Sequence, residues 1–473
     1  MKIIIAGGGI AGLSAYLHLR KHLPTPPSPH PPHTIRIYES HRPGAAAAST
    51  TPDATPTPTP LNPSFEALSA STAVVGGGLG VAPNGMRVLA HLDRALHDAV
   101  SAQGFPCDKF VFMGRNGWTL GVQETNDRGG FDGEGKGEVC VSSSRHGLWA
   151  CLRGAVPPEG VVRYQKVVGA KRRGDGRIVV ALDDGGEDEC DLLVGADGVK
   201  SVVRRALFGE GEGAPVYTGT SGVGGFIKMP LPDRVVDNKA MVFTFGPNGF
   251  FGYASGAPVE ADNLMWWSTF ETDALSSRET LEIAEIKAEL QKRHAHWADP
   301  VVRDIVSRAE VESIYPTWVM PDLPHWGEDG IVLIGDAAHA LSPTTGQGAS
   351  QALEDSQTLS LLLAETLKTE YAASSSHESL EIGERNAIAV AVKQLYNIRK
   401  PRIKEIADRG RKLDGGKKNM GVLAEYSMYW FLWLMMRLPF LGKLAIGDVY
   451  TQLYGWSAKR EVEKALREEI PPS

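Results

Sequence analysis

At 473 residues the chain is long enough for one large α/β domain with a smaller companion. An apolar fraction of 42% is ordinary for a soluble protein, and a net charge of -7 without any Lys/Arg-rich run excludes nucleic acid, which needs a concentrated basic face. Cys107, Cys140, Cys151 and Cys190 lack any CxxC spacing, which excludes the usual zinc sites and a disulfide framework and points to a reducing, cytoplasmic compartment.

Lys2 and the apolar stretch Ile3-Ile4-Ile5-Ala6 resemble the start of a signal peptide, but three glycines interrupt it at once. A first strand entering a helix, about Ile10 to His22, explains these residues better, and a second strand follows at Thr34 to Glu39. The proline-rich run Leu23 to Pro32 can be neither helix nor sheet interior, so it is an extended connector. His41 to Pro63, rich in Ala, Thr and Pro, lacks the apolar content to bury anything and reads as a solvated excursion. Val75-Gly76-Gly77-Gly78-Leu79-Gly80 has Val81 where a third glycine would be needed and Pro83 after it, so it reads as a loop.

Strands are expected at Lys109 to Met113, Val161 to Val168, Ile178 to Leu182 and Leu192 to Val194. An aromatic, alternating group at Met241 to Tyr253 and Leu264 to Phe270 suits an antiparallel sheet, and Thr280 to His296 a helix. Ile331 to Ile334 is a short, wholly apolar strand of the buried parallel type. Helices dominate from Ser350 onward, and there is no internal repeat.

Three segments carry chemistry. Gly7-Gly8-Gly9-Ile10-Ala11-Gly12 lies between a strand and a helix. Gly7 permits the tight turn, Gly9 lets a pyrophosphate approach the backbone, and Gly12 lets the helix lie close to the strand. The helix N-terminus supplies free N–H groups and partial positive charge for phosphates. Glu39, ending the second strand, is the natural acceptor for a ribose hydroxyl; the proline-rich connector lengthens its spacing beyond the usual ~20 residues. The second segment runs from Leu192 through Asp197-Gly198 to Ser201, which is placed to cap a helix. Its Asp and Gly serve either a ligand or only the geometry of a strand-to-helix turn. The third is Gly335-Asp336-Ala337-Ala338-His339, then Pro343 and Gly346-Gln347-Gly348 opening a helix from Ala349 to Leu363. Asp336, at the end of a buried strand, can accept hydrogen bonds from a polyol. The glycines open a helix whose positive end suits a developing anion.

These three segments, in this order, resemble the class A flavoprotein monooxygenases, the family of para-hydroxybenzoate hydroxylase, and within it the salicylate-hydroxylase-like enzymes of fungal secondary metabolism. The resemblance implies an α/β fold: a Rossmann-like FAD-binding domain (1–105 with 141–213 and 321–395), an inserted, mainly antiparallel β-sheet substrate domain (106–140 with 214–320), and a C-terminal helical region (396–473). It implies FAD at Gly7, Gly9, Ala11, Gly12 and Glu39, with Asp336 on the ribityl chain and the Gly346-Gln347-Gly348 helix facing the flavin pyrimidine. Asp197 would serve both FAD and NADPH (or NADH), and Arg145, within Ser144-Arg145-His146-Gly147-Leu148, would contact FAD. The partners it implies are O2, NAD(P)H and a small organic substrate, with oxygen adding to reduced flavin as a hydroperoxide. No side chain is assigned a catalytic role and no metal is expected. An oxidase, dehydrogenase or cyclase on the same fold is the alternative.

Several residues have two readings. His339 follows a buried Ala-Ala pair and reads as a structural hydrogen-bonding residue. Trp266-Trp267 and Phe250-Phe251 either line the substrate or fill the core. Trp326 reads as packing. Tyr217 to Phe226 carries neither the Arg nor the Trp found in many phenol hydroxylases of the family, which argues against simple phenol hydroxylation and leaves room for epoxidation or oxidation of a neutral, larger substrate. The uncharged run Tyr426 to Met436 falls short of the ~18 apolar residues that read as a bilayer span. It is expected to pack over an apolar pocket, with peripheral membrane contact as the alternative.

Overall fold

The computed structural model describes residues 1–42, 77–126, 137–247, 249–272, 283–311, 314–374, 376–414, 420–438, 440 and 449–469. Nearly all of the expected excursion from His41 to Pro63 lies outside these residues.

Strand Lys2–Ala6 is the centre of a six-stranded sheet. It pairs in parallel with Thr34–Tyr38 on one side and Leu192–Gly195 on the other, and Leu192–Gly195 pairs with Ile331–Leu333. Short strands Val162–Arg163 and Gly327–Glu328 close the edges. Ile3, Ile4 and Ile5 are all fully buried because both faces of the sheet are covered, as a parallel sheet requires. Ile3, Ile5, Leu192 and Val194 pack toward helices Ile10–His22 and Gly348–Ala373. Ile4, Leu193 and Leu333 pack with residues of the meander Val167–Arg172, Ile178–Leu182, Glu187–Cys190 and with Trp326. The register matters for function. Ala6 lies beside Gly195, and Gly195 beside Leu333, so Gly7, Asp197 and Asp336 leave the same edge of the sheet.

The second large sheet has seven strands in the order Ile314–Val319, Val216–Lys228, Asn263–Glu271, Gly249–Ser255, Ala240–Gly246, Lys109–Gly114, Thr119–Glu124. All pairs are antiparallel except Ala240–Gly246 with Lys109–Gly114. Helices Ile283–His294 and Pro300–Arg308 cover one face.

Several expectations are corrected. Met241 to Tyr253 is a hairpin of two strands, and Val161 to Val168 also divides in two. The glycine run before Pro83 is not a loop: Gly78–Val81 is a strand paired with Cys140–Ser144, and Pro83 opens a helix. Its glycines admit neighbours. A Cβ on Gly78 would sit 1.6 Å from Met265 Sδ, and one on Gly80 3.0 Å from Cys140 Sγ. Proline is at home in a first helical turn, where no partner for its nitrogen is needed.

Helix Val422–Arg437 lies against the edge strand Thr119–Glu124 and its neighbour Lys109–Gly114. Tyr429 Oη donates to the Phe245 carbonyl at 2.6 Å, Glu425 pairs with Arg115 at 2.7 Å, and Met436 fills the space above Gly121. Among the described residues no helix is long and apolar enough to cross a membrane.

Candidate active site

The glycine turn separates positions the fold needs from one it does not. Gly7 has φ +104°, and a Cβ there would lie 2.4 Å from the Ala196 carbonyl oxygen; on Gly12 it would lie 1.9 Å from the Gly7 oxygen. A Cβ on Gly9 would meet nothing within 4 Å. Two glycines are therefore demanded by strand and helix packing, and the third leaves open the approach a pyrophosphate needs. Helix Ile10–His22 begins with no side-chain cap and no acidic residue in its first turn, so its N–H groups remain available to an anion. Glu39 Oε2 accepts from the Gly8 N–H at 2.6 Å, which holds its carboxylate at the turn.

Trp149 Nε1 donates to the Gly8 carbonyl at 2.9 Å and thereby fixes helix Arg145–Ala155 beside the turn. Arg145, one helical turn earlier, is exposed, and its guanidinium has no hydrogen bond among the described residues. Ala11 joins two segments: its carbonyl accepts from Ser356 Oγ at 3.1 Å, and a Cβ on Gly335 would lie 3.1 Å from its own.

Asp336 heads the short helix Asp336–His339, and its side chain is exposed while its neighbours on both sides are buried. The loop that presents it is held from beneath. Asp355 accepts from the Gly335 N–H at 2.8 Å, from His339 Nε2 at 2.6 Å and from Arg399 Nε at 2.8 Å. Burial alone would push the Asp355 carboxyl up, but His339 and Arg399 hold it well below the ordinary carboxylate range. The structural reading of His339 fits this geometry, and Trp326 packs on its ring at 4.8 Å.

The second loop is tied to the same cluster. Gly346 has φ +61°, and both it and Gly348 would place a Cβ in open space. Gln347, between them, is buried and accepts from Asn84 Nδ2 and Gln351 Nε2, each at 3.0 Å. Asn84 also donates to Glu354 at 2.7 Å, and Glu354 pairs with Arg399 and Arg402 at 2.5 and 2.7 Å. Burial raises the Glu354 carboxyl, yet Arg402 and Arg399 bring it below its usual value. Both guanidinium groups also stand over the Trp456 ring. Helix Gly348–Ala373 has no acidic residue in its first turn and no side-chain cap, so its positive end is unopposed there.

Asn84, Arg399, Arg402 and Trp456 escaped the sequence reading. The Arg-x-x-Arg spacing at 399 and 402 was the available signal, because it puts two cations on one side of a helix. Nothing in the sequence named their partners some 45 residues away.

Asp197 has a different situation. Its carboxylate accepts from Ser201 Oγ at 2.5 Å and from the N–H groups of Val202 and Val203 at 2.7 and 3.2 Å. Burial pushes this carboxyl up despite those bonds. Ser201 caps helix Val202–Phe208 as expected. These bonds fix the turn carrying Gly198 beside the glycine turn.

The aromatic pairs divide between the faces of the seven-stranded sheet, because successive side chains point oppositely. Trp266 and Phe251 stack on the helix side with His294 and Trp297. Trp267 and Phe250 face the other way, where Phe243 lies 5.8 and 5.9 Å from them and Phe110, Phe112 and Phe245 extend the cluster. All these rings except Phe250 are partly exposed. From this face Met265 reaches Gly78, and strand Gly78–Val81 leads to Ala82, whose N–H donates to Ser350 Oγ at 3.1 Å in the first turn of helix Gly348–Ala373. The aromatic face and the second glycine loop thus belong to one connected unit.

A family model described as an FAD binding domain matches residues 159–395. The chain belongs to this FAD-binding family of flavoprotein monooxygenases. FAD is its cofactor, and the open glycine positions and exposed Asp336 fit that group. A salicylate hydroxylase of Pseudomonas putida is 25% identical over 389 residues, 77% of each chain. A chloroplastic zeaxanthin epoxidase of an Oncidium hybrid cultivar is 32% identical over 222 residues, 46% of this chain but only 31% of the epoxidase. Among solved structures, Klebsiella pneumoniae HpxO with FAD and uric acid superposes with a TM-score of 0.70 at 18% identity, covering 96% of this chain and 97% of that one. A salicylate hydroxylase substrate complex gives 0.66 at 17% identity, covering 100% and 98%. At such identities these likenesses concern the fold.

Proposed function

We propose that this flavoprotein uses a reduced nicotinamide cofactor, NADPH or NADH, and O2 to hydroxylate or epoxidise a bulky, apolar organic substrate, as in secondary metabolism. The observation that carries the substrate class is the partly exposed aromatic face of Phe110, Phe112, Phe243, Phe245 and Trp267. It offers a large apolar area for such a substrate.

FAD, once reduced, supplies the activation of oxygen. The chain's own residues do the rest. Gly9 and the first turn of Ile10–His22 receive the pyrophosphate, Glu39 the ribose, and Arg145 adds a cation to the phosphates. Asp336 accepts hydrogen bonds from the ribityl hydroxyls. The N-terminus at Gly346, Gln347 and Gly348 stabilises negative charge on the reduced ring, an effect of about 0.3–2 kcal/mol. Asp197 acts by shaping the turn next to the glycines. The parallel-sheet half holds the cofactor, and the seven-stranded sheet holds the substrate and excludes water from it. A reducing compartment suits the four free cysteines.

The test begins with heat or acid release of FAD from the purified protein, followed by a screen for apolar compounds that accelerate NAD(P)H oxidation. Product from the best compound, made under labelled molecular oxygen, should carry one labelled atom. Label arriving only from water would replace this reading with a dehydrogenase or cyclase.

A further inference from the structure

Cross-strand partners in the seven-stranded sheet line up side chains of one face. One such row holds Tyr315, Gly222, Thr269, Phe250, Phe245 and Gly114. Helix Val422–Arg437 closes its far end, with Tyr429 over Gly114. The outer arc of that helix, with Leu423, Trp430 and Phe431, is exposed, so its expected packing is met by one face only. The near end of the row differs in kind. In the next row, packing demands the glycines: a Cβ on Gly224 would lie 2.6 Å from the Trp266 carbonyl oxygen, and one on Gly252 2.2 Å from the Trp267 ring. Packing does not demand Gly222. A Cβ there would make only ordinary contacts, with the Ser268 carbonyl oxygen and Tyr315 Cδ2 at 3.6 Å and Thr269 Oγ1 at 3.8 Å. A strand glycine that its neighbours do not require marks a place where a ligand approaches the backbone. Thr269 is only partly buried, and its hydroxyl makes no hydrogen bond among the described residues. The Tyr315 ring passes Gly222, and its hydroxyl donates to the Gly224 carbonyl in a long bond of 3.4 Å.

We propose that the notch bounded by Gly222, Thr269 and Tyr315 is a substrate subsite that takes one uncharged hydrogen-bonding oxygen, a carbonyl or a hydroxyl, of an otherwise apolar molecule. Two hydroxyls can donate to a carbonyl or accept from a hydroxyl, and they supply no formal charge to balance an ion. The rest of the row is rings, with Phe250 and Phe245 5.2 Å apart, so the apolar body lies over them and the oxygen lies at the Tyr315 end. That end adjoins the cofactor side. A Cβ on Gly77 would lie 3.2 Å from Tyr315 Oη, and the Gly77 carbonyl accepts from the Arg145 N–H at 2.9 Å. Strand Gly78–Val81 then leads through Ala82 to Ser350 in the helix of the second glycine loop. The notch therefore sets which end of the substrate points at the cofactor loops: the end bearing the oxygen. This assignment rests on the function proposed above, in which the aromatic face receives the substrate.

The experiment is titration of the full-length, FAD-loaded, oxidised protein with 2-acetylnaphthalene and with 2-isopropylnaphthalene, followed by the flavin absorbance. The two probes are close in shape and differ in a carbonyl oxygen, so the ratio of their affinities isolates that oxygen from the apolar body. In Thr269→Val and in Tyr315→Phe the ratio should shift against the ketone by about three- to tenfold relative to the wild type, with FAD retained. Thr269→Ser, which keeps the hydroxyl, should keep the wild-type ratio. Gly222→Ala adds a methyl that fits without a clash and should weaken both probes by filling the notch. A ratio unchanged in both Thr269→Val and Tyr315→Phe would overturn the proposal. So would a shift carried by the hydrocarbon alone, which reports packing, or a flavin spectrum that neither probe perturbs. Binding is read on the oxidised enzyme and oxygen labelling on turnover, so failure of the notch is told apart from failure of the proposed reaction.

Discussion

Around the first turns of helix Gly348–Ala373, five ionisable side chains (His339, Glu354, Asp355, Arg399 and Arg402) meet with almost no water, whereas behind the seven-stranded sheet Trp266, Phe251, His294 and Trp297 pack ring on ring. The ionic cluster is directional: its bonds reach the Gly335 N–H and, through Asn84, Gln347, so it holds the Asp336 loop and the second glycine loop at fixed separation. The aromatic layer fixes no single atom. It props one face of a sheet so that the other face can present a broad apolar surface. A region that must place a carboxylate and a helix end benefits from hydrogen bonds, and a region that must accept a shape benefits from rings.

The contrast is broken most severely at Arg399. Arg399→Met leaves Glu354 and Asp355 short of a cation at full burial, which should cost about 3–5 kcal/mol of stability. Denaturant unfolding would register this, and retained FAD affinity in the folded fraction would show that the cluster does not position the loops. Trp266→Ala should cost a similar ~3–5 kcal/mol through the cavity it leaves. Its neighbour Trp267→Ala should change stability far less and instead raise KM for the apolar substrate. Equal stability losses would mean that both faces are core.

Asp336→Ala sharpens the comparison from the ligand side, because the side chain is exposed. FAD affinity should fall by about 1.5–3 kcal/mol with the melting temperature of the apoprotein unchanged. Gly9→Val should likewise fold and yet fail to bind FAD, whereas Gly12→Val should not fold; FAD titration of the purified variants decides both.

The smallest effect is a pH dependence of the aromatic layer. Burial, helped by the charge of Arg293, lowers His294 to about 3. A histidine whose folded value lies below its unfolded value of about 6.5 contributes its full stability above that pH and loses it as pH falls toward 3. The ionic cluster responds only lower, because its carboxyls are held below their usual range. Unfolding midpoints measured between about pH 6.5 and 4.5 should therefore decline in the wild type and decline less steeply in His294→Gln, where His18, also held low by burial, still contributes. Parallel declines would assign the slope elsewhere.

The glycine turn, Glu39, the Asp336 loop and the second glycine loop were legible in the chain because each is a local pattern of a few residues bounded by a strand and a helix. Their meeting was less so, since it depends on Ala6, Gly195 and Leu333 falling in parallel register. Local pattern also misled. Gly76 to Gly80 resembled a failed nucleotide turn, and the reason for its glycines, Met265 and Cys140, comes from distant strands.

Composition and periodicity alone determined that Ile331 to Ile334 is a strand buried on both faces, that a helix follows a glycine turn, and that the C-terminal run cannot span a bilayer. These follow from side-chain hydrophobicity and backbone sterics within a few residues. Tertiary structure alone decided that Arg399 and Arg402 find Glu354 and Asp355, that Trp266 rather than Trp267 takes the face covered by helices, and that half of helix Val422–Arg437 is bare. Each depends on which surface another segment brings to that residue, and a chain read in order carries no record of what will pack against it.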